Sequence, residues 1–437
     1  MGIKVAKFGG SSVADGIQLT KTKQIIDADP GRRYIVVSAP GKRFDGDNKI
    51  TDLLYLCKTH MEHNLPYDQI FQVVADRFMA VEINLGIQVE LLRRFEEIKE
   101  NLKKNPSAEY IASRGEYLSA VLTAAFLGFD FVDTAGLILF DDKGRLMMEE
   151  TDKALAAELA KHEKAVLPGF YGSTMTGEIK TFSRGGSDVT GALVARAVKA
   201  ETYENWTDVS GFLMADPRIV TNPKPIHNIS YKELRELSYM GASVLHEDAV
   251  FPARLADIPI NIRNTNDPDD PGTIISEYTP DETEQIITGI AGNKDFTVIA
   301  IYKNMLATEK GFIRKLLSIF EDFDISIEHL PSGIDTVSVV ISNEYLDGKM
   351  DDILTAIKAQ LTVDSIDVFE NMAQIATVGC GMSRRKGVSA KLFTALANAD
   401  VNIRMIDQGS SEMNIIVGVE NKDFEKAIRA IYEAFVE

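Results

Sequence analysis

Up to about residue 280, apolar positions follow two alternating rhythms. Short apolar runs at Ile3–Phe8, Tyr34–Gly41, Phe131–Asp133, Leu137–Phe140 and Ala165–Phe170 read as strands, and Thr202–Gly211 as a strand running into a polar loop. The second run is dense enough in Ile and Val to predict a buried, parallel-type strand. Helical spacing fills the intervals. It runs from Val13 to Ile26 with Ser11 or Ser12 as N-cap, from Thr51 to Leu56, and across 66–104 through Phe71, Val74, Phe78, Val81, Leu91, Leu92, Phe95 and Ile98. Further helices are expected from Ala112 to Leu127, around Ala154–Leu159, and from Ala192 to Ala200. Strands alternating with helices predict an α/β fold: an αβα sandwich on a mostly parallel sheet.

From about Ile286 the pattern becomes a repeat. Residues 297–341 and 373–417 superimpose without a gap: Leu316, Phe320, Ile325 and Ile327 fall on Leu392, Leu396, Val401 and Ile403, and Gly333 on Gly409. Each copy reads strand, helix, two strands, helix, the β-α-β-β-α-β order of a ferredoxin-like unit. Such a unit leaves sheet edges unpaired, so pairing with another copy is expected. The expected division is 1–280, 286–365 and 366–437.

Composition narrows the function classes. A formal net charge of -18 argues against nucleic acid or an anionic membrane as partner, and requires any phosphate site to be locally basic. Cys57 and Cys380, far apart in sequence, fit a reducing cytoplasm, and no apolar run reaches bilayer length. The six histidines form no metal-ligand pattern; His60 and His63 share helical spacing but read as surface residues.

Two glycine pairs carry the candidate chemistry. Gly9-Gly10-Ser11-Ser12 joins the first strand to a helix, an arrangement that aims free N–H groups at an anion, with Lys7 on the strand before it. An ordinary βα turn has the same residues, and the spacing is not that of a Walker A loop. Ser183-Arg184-Gly185-Gly186-Ser187-Asp188 repeats the device with a guanidinium and a carboxylate beside it. Ser38 ends a strand where ligands bind in parallel sheets. Glu116, Thr207, Asp208 and Arg218 each have a local reading too: a carboxylate favouring the helix dipole, or turn chemistry.

Together, Lys7-Phe8-Gly9-Gly10-Ser11-Ser12-Val13, Ser113-Arg114-Gly115-Glu116, Phe182–Asp188, Trp206-Thr207-Asp208-Val209 and Asp216-Pro217-Arg218 resemble the signature set of the aspartate kinases (aspartokinases), members of the amino-acid kinase superfamily. The resemblance spans the whole chain. It departs at Ser243, where the family carries a lysine near the nucleotide phosphates, at Leu213, where an aromatic side chain often lies, and at Phe182-Ser183. It implies transfer of the ATP γ-phosphoryl, with Mg2+, to L-aspartate, giving 4-phospho-L-aspartate, the first step toward lysine, threonine and methionine. By the same resemblance, Lys7 stabilises the transferring phosphoryl group while Asp188 orients Lys7 or the site water and magnesium. Gly9, Gly10, Ser11 and Ser38 meet phosphate. Thr207, Asp208, Leu213, Arg218 and Ser243 hold the nucleotide. Arg184 takes the substrate α-carboxylate, Glu116 its α-ammonium, and Thr51, Gly185 and Ser187 help place it. The repeats become two ACT domains that bind lysine or threonine, with Asn304, Met305, Ile327, Glu328 and Ser332 as the candidate effector pocket, and that join copies into a homodimer or homotetramer. A kinase of the same fold acting on another acid, and a non-catalytic amino-acid sensor, are the alternatives.

Overall fold

A computed structural model describes residues 2–183, 185–242, 245, 247–277 and 286–436. The chain divides into two compact units. The first runs over Met1–Phe212, Pro225–Tyr231 and Ser243–Thr279; the second over Leu213–Lys224, Lys232–Ala242 and Pro280–Glu437.

The first unit is built on an eight-stranded sheet, in the order Asn228–Ser230, Thr273–Ser276, Ile260–Asn264, Thr202–Thr207, Lys4–Phe8, Arg32–Val37, Ala165–Pro168, Asp130–Phe131. Neighbours are parallel except Ile260–Asn264 against Thr273–Ser276. Helices on both faces bury the central strands: Val5, Ala6, Phe8 and Ile35–Val37 are inaccessible to solvent. The expected helical excursion is Asp68–Leu85 and Leu91–Leu102, its apolar stripe of Phe71, Val74, Phe78 and Phe95 inside the core.

Several boundaries differ from the sequence pattern. The first glycine pair leads into a short 3-10 turn, Gly10–Val13, and the α-helix begins only at Gly16. Asp15 caps it, accepting from the Gln18 N–H at 2.9 Å, while the Ser12 hydroxyl sits 2.7 Å from that of Thr265. The helix expected from Thr51 runs Ile50–Glu62, and the one expected from Ala192 runs Gly186–Ala197. The helix carrying Glu116 runs Ala108–Leu127, capped by Ser107, so Glu116 lies at mid-helix rather than in the first turn. The expected strand 165–170 stops at Pro168, because Phe170 takes a left-handed φ of 76°; Tyr171–Thr174 then joins a separate three-stranded sheet.

The second unit contains an antiparallel five-stranded sheet, Thr336–Ser342, Gly289–Tyr302, Ser365–Val378, Asn414–Glu420, Met405–Asp407. The repeat offset holds for the two long strands and for the helices Phe312–Asp322 and Val388–Asn398. The long strands serve both repeats: residues 289–293 pair with 374–378, and 296–302 with 365–372. Ile327, Glu328 and Ser332 do not lie on a regular strand. Only the bridges His329 to Val340 and Ser332 to Val337 form there, and Pro331 between them has no N–H to donate. Leu316, Phe320, Val339, Ile341, Ile353 and Ile357 form the core of the first repeat. No described helix is long and apolar enough to cross a membrane.

Candidate active site

Parallel register places Lys7 beside Asn205 on the neighbouring strand. Side chains alternate along a strand, so Lys7, Tyr203 and Asn205 share a face, and the helix Gly186–Ala197 packs on it. An added β-carbon at Gly191 would come within 2.5 Å of the Tyr203 hydroxyl, which explains the glycine. That approach brings Asp188, in the helix's first turn, to Lys7: Nζ to Oδ1 is 2.6 Å. Lys7 is 7% exposed, so the pair is strengthened by poor solvation. Asn205 completes the cluster. Its amide oxygen accepts from Lys7 Nζ at 3.3 Å, and its amide N–H donates to Asp188 Oδ1 at 2.9 Å.

The glycines allow main chains to meet at the carboxyl ends of the strands. A β-carbon on Gly10 would lie 2.9 Å from the Ala39 carbonyl, and Gly41 N–H donates to the Gly10 carbonyl at 2.8 Å. A β-carbon on Gly9 would lie 3.6 Å from Lys7 Nζ, so the open space over this turn faces the ammonium. One expected donor is already used: Gly9 N–H extends the parallel ladder to the Trp206 carbonyl at 2.9 Å. Ser12 N–H is used as well, donating to the Gly9 carbonyl at 3.0 Å, which leaves Gly10 and Ser11 as the candidate donors of this turn. Gly185 holds a left-handed φ of 56° immediately before the second helix. Phe170, left-handed without being glycine, packs so tightly there that a β-carbon on Gly186 would lie 2.7 Å from its ring. Such strain persists only where the surroundings enforce it.

Glu116 lies on a helix that passes through the protein interior. Gly115 permits this, since a β-carbon there would come 2.8 Å from that of Ala39. Burial pushes the Glu116 carboxyl up to about 8, against the lowering effect of backbone N–H groups, Ala39 first, and of Arg114. Its Oε2 is buried with no partner among the described residues. Arg114 is turned away, its guanidinium stacked over Tyr110, Tyr117 and Tyr171 at 4.6, 4.8 and 5.4 Å. A buried acid with a vacant oxygen is suited to receive an ammonium. Ser38 and Thr51 flank the Ala39 turn; Ser38 N–H donates to the Phe8 carbonyl at 3.1 Å, and Thr51 is the second residue of its helix.

The remaining candidates divide. Ser187 is buried against Gly169, where a β-carbon would come within 2.6 Å of it. Thr207 ends the strand Thr202–Thr207, and its hydroxyl donates to Asp208, the next residue, at 3.1 Å. Leu213 and Arg218 belong to the second unit, where Asp216 holds the Arg218 guanidinium at 2.6 Å. Arg184 and Ser243 lie outside the described residues. In the second unit the Asn304 and Met305 N–H groups are held by Asp364 and Asp335 at 2.6 and 2.7 Å, and Glu328 accepts from the Tyr239 hydroxyl.

Two residues escaped the sequence pattern. Arg77, buried on the helix Asp68–Leu85, donates to the Asn48 and Gly41 carbonyls at 2.6 and 2.7 Å and so shapes the loop after Gly41. A charge on the Val74–Phe78–Val81 stripe was its signal. Asn205 and its neighbour Glu204 are adjacent polar residues at the centre of a buried strand, each needing a partner. Glu204 finds Arg32 at 2.7 Å and the Trp206 indole N–H at 2.9 Å.

The sequence matches the amino acid kinase family over residues 2–264 and an ACT domain over 375–435. It is 36% identical over 454 residues to aspartokinase 3 of Bacillus subtilis, covering 99% of this chain and 98% of that one. The chain belongs to the aspartokinases of the amino acid kinase family. The crystal structure of Clostridium acetobutylicum aspartate kinase superimposes with a TM-score of 0.92 at 53% identity, covering both chains fully. Escherichia coli aspartokinase III also covers both chains fully. Its complex with aspartate and ADP gives a TM-score of 0.74 at 26% identity, and its complex with lysine and aspartate 0.76 at 25%.

Proposed function

We propose that this chain is an ATP-dependent aspartate kinase, transferring the γ-phosphoryl group to the β-carboxylate of L-aspartate. The pair of buried Lys7 with half-buried Asp188, between two glycine turns, carries the reading, joined to full-length likeness to aspartokinases. The nucleophile has an ordinary pKa of about 4 and is ionised at neutral pH, so no general base is required. The obstacle is one anion approaching another in line, and it is met by positioning and charge neutralisation. Lys7 stabilises the charge that builds on the transferring phosphoryl group, and Gly10 and Ser11 donate N–H groups to its oxygens. Glu116 takes the substrate α-ammonium, Arg184 its α-carboxylate, and Thr51, Gly185 and Ser187 shape the acceptor site. Ser38 meets phosphate, while Thr207, Asp208 and Ser243 hold the nucleotide. Among the described residues no group of three His, Cys, Asp or Glu is arranged around a metal. A magnesium ion carried on ATP oxygens and water would neutralise phosphate charge there, with Asp188 orienting its water.

The repeated unit serves as an ACT pair that binds an amino-acid effector, lysine being the first choice because a structural relative is described in complex with lysine. Glu328 would hold the effector amine, beside Asn304, Met305, Ile327 and Ser332. The same pair joins copies into a dimer or tetramer, and the two cysteines, Cys57 and Cys380, suit the cytoplasm.

Acyl-phosphate formation from ATP and aspartate, trapped as the hydroxamate with and without lysine or threonine, tests this. Aspartate-dependent product supports the kinase, and a fall on adding one amino acid identifies the effector. Folded protein giving no product with aspartate, but product with another acid, would overturn the substrate.

A further inference from the structure

Asn205 belongs to no motif, yet it closes the cluster around Lys7. It is 4% exposed and sits in register with Lys7 on a central parallel strand. Both ends of its amide are used: the oxygen toward Lys7 Nζ at 3.3 Å, the N–H toward Asp188 Oδ1 at 2.9 Å. With the 2.6 Å Lys7–Asp188 contact, the three side chains form a ring. Asp188 is itself anchored, its backbone carbonyl accepting from the Tyr203 hydroxyl at 3.1 Å. A buried amide with both ends engaged has one orientation.

We infer that Asn205 is a positioning residue for phosphoryl transfer, aiming the Lys7 ammonium at the reacting phosphate. The inference rests on the kinase reading above. An ammonium has three N–H bonds. Asp188 and Asn205 fix the direction of two, which sets the third, and the open side of the ring is the Gly9 turn, 3.6 Å from Lys7 Nζ at the position a β-carbon would take. The amide N–H on Asp188 Oδ1 has a second effect. It takes up part of the accepting capacity of Oδ1, which weakens the carboxylate's hold on Lys7 and leaves more of the ammonium charge for the phosphoryl oxygens. An apolar side chain of the same size would preserve packing and lose both effects.

Two variants of the full chain test this, N205L and N205D, assayed beside the unaltered chain for kcat and for KM toward ATP and aspartate, with thermal melting of the same preparations. N205L is expected to lose about tenfold to a hundredfold in kcat, the scale of a misaligned catalytic group, while both KM values change little. N205D keeps an acceptor for Lys7 but brings a second carboxylate to Asp188. The titratable groups around it are Lys7, Asp188 and Tyr203. Its kcat is expected to recover as pH falls, when one carboxyl of the pair takes up a proton and becomes the missing donor. The unaltered chain lacks that acid-side recovery. Unaltered kcat in N205L, a loss confined to KM, or an N205D profile parallel to that of the unaltered chain would overturn the inference. If N205L fails to fold, the N205D profile decides alone. Absence of product from the unaltered chain would instead overturn the kinase reading, a separate result.

Discussion

The aspartate site is expected to have a pH dependence that comes from one carboxyl group. Glu116 is buried, its Oε2 is without a partner among the described residues, and its pKa is raised to about 8. At pH 7 the empty site therefore holds Glu116 protonated in about nine molecules of ten, and ionising it costs about 1.4 kcal/mol. A substrate ammonium favours the ionised form, so binding at pH 7 gives up that amount and binding at pH 9 does not. KM for aspartate is expected to fall about tenfold between pH 7 and 9, with its inflection near 8 and kcat nearly flat. E116Q should raise KM and abolish the inflection. The measurement is a steady-state ADP-release assay across pH 6.5–9 at saturating ATP. A flat KM, or an inflection that survives in E116Q, would refute the reasoning. The same shift acts on stability with a definite sign. The folded state keeps a proton that the unfolded chain gives up above its ordinary carboxyl range. This contribution is thus complete below pH 4.5 and is lost as pH rises through about 8, with a slope of at most about 1.4 kcal/mol per pH unit. E116Q should be more resistant to denaturant than the unaltered chain at pH 8, and much less distinct at pH 4.5.

Three further outcomes are expected. K7A should fold, because a central strand of Val5, Ala6 and Phe8 remains, yet lose about a hundredfold to a thousandfold in kcat; near-normal turnover would refute the role of Lys7. G115A must push the helix off Ala39 and Ile50, which lie 2.8 and 3.2 Å from the new carbon, and should lower stability by about 1–3 kcal/mol in denaturant titration while raising KM for aspartate. Y239F removes the hydroxyl that Glu328 accepts from, so an amine effector meets less competition; half-inhibition by lysine should need about threefold less ligand, and an unchanged inhibition curve would separate Glu328 from the effector.

Much of the site was legible in the sequence because it is made of turns. Glycine pairs, a lysine two residues before the first and a carboxylate two residues after the second are local patterns, and the fold brings Lys7 and Asp188 within 2.6 Å of each other. The N–H accounting at Gly9 was not legible, since the donor goes to Trp206, nearly two hundred residues away in sequence. Glu116 was misplaced within its helix because Ser107, a capping residue, sits further upstream than the apolar run suggested. The repeat was legible through constant spacing. The reduction of one of its strands at Pro331 to isolated bridges was not, because the loss of one donor is weighed against the whole hairpin.

By itself the sequence determined the alternation of strand and helix, the parallel sheet, the doubled unit and the two Gly-Gly turns. Each of these follows from spacing along a chain, through the periods of 2.0 and 3.6 residues and the freedom of glycine. The tertiary structure decided which polar groups lost water and which partners replaced it. Strand register set Asn205 beside Lys7, helix packing at Gly191 delivered Asp188 to both, and the burial of one helix changed Glu116 from a surface charge into a buried acid. Those outcomes depend on desolvation and on contacts between distant residues, and neither quantity is a property of any local stretch of sequence.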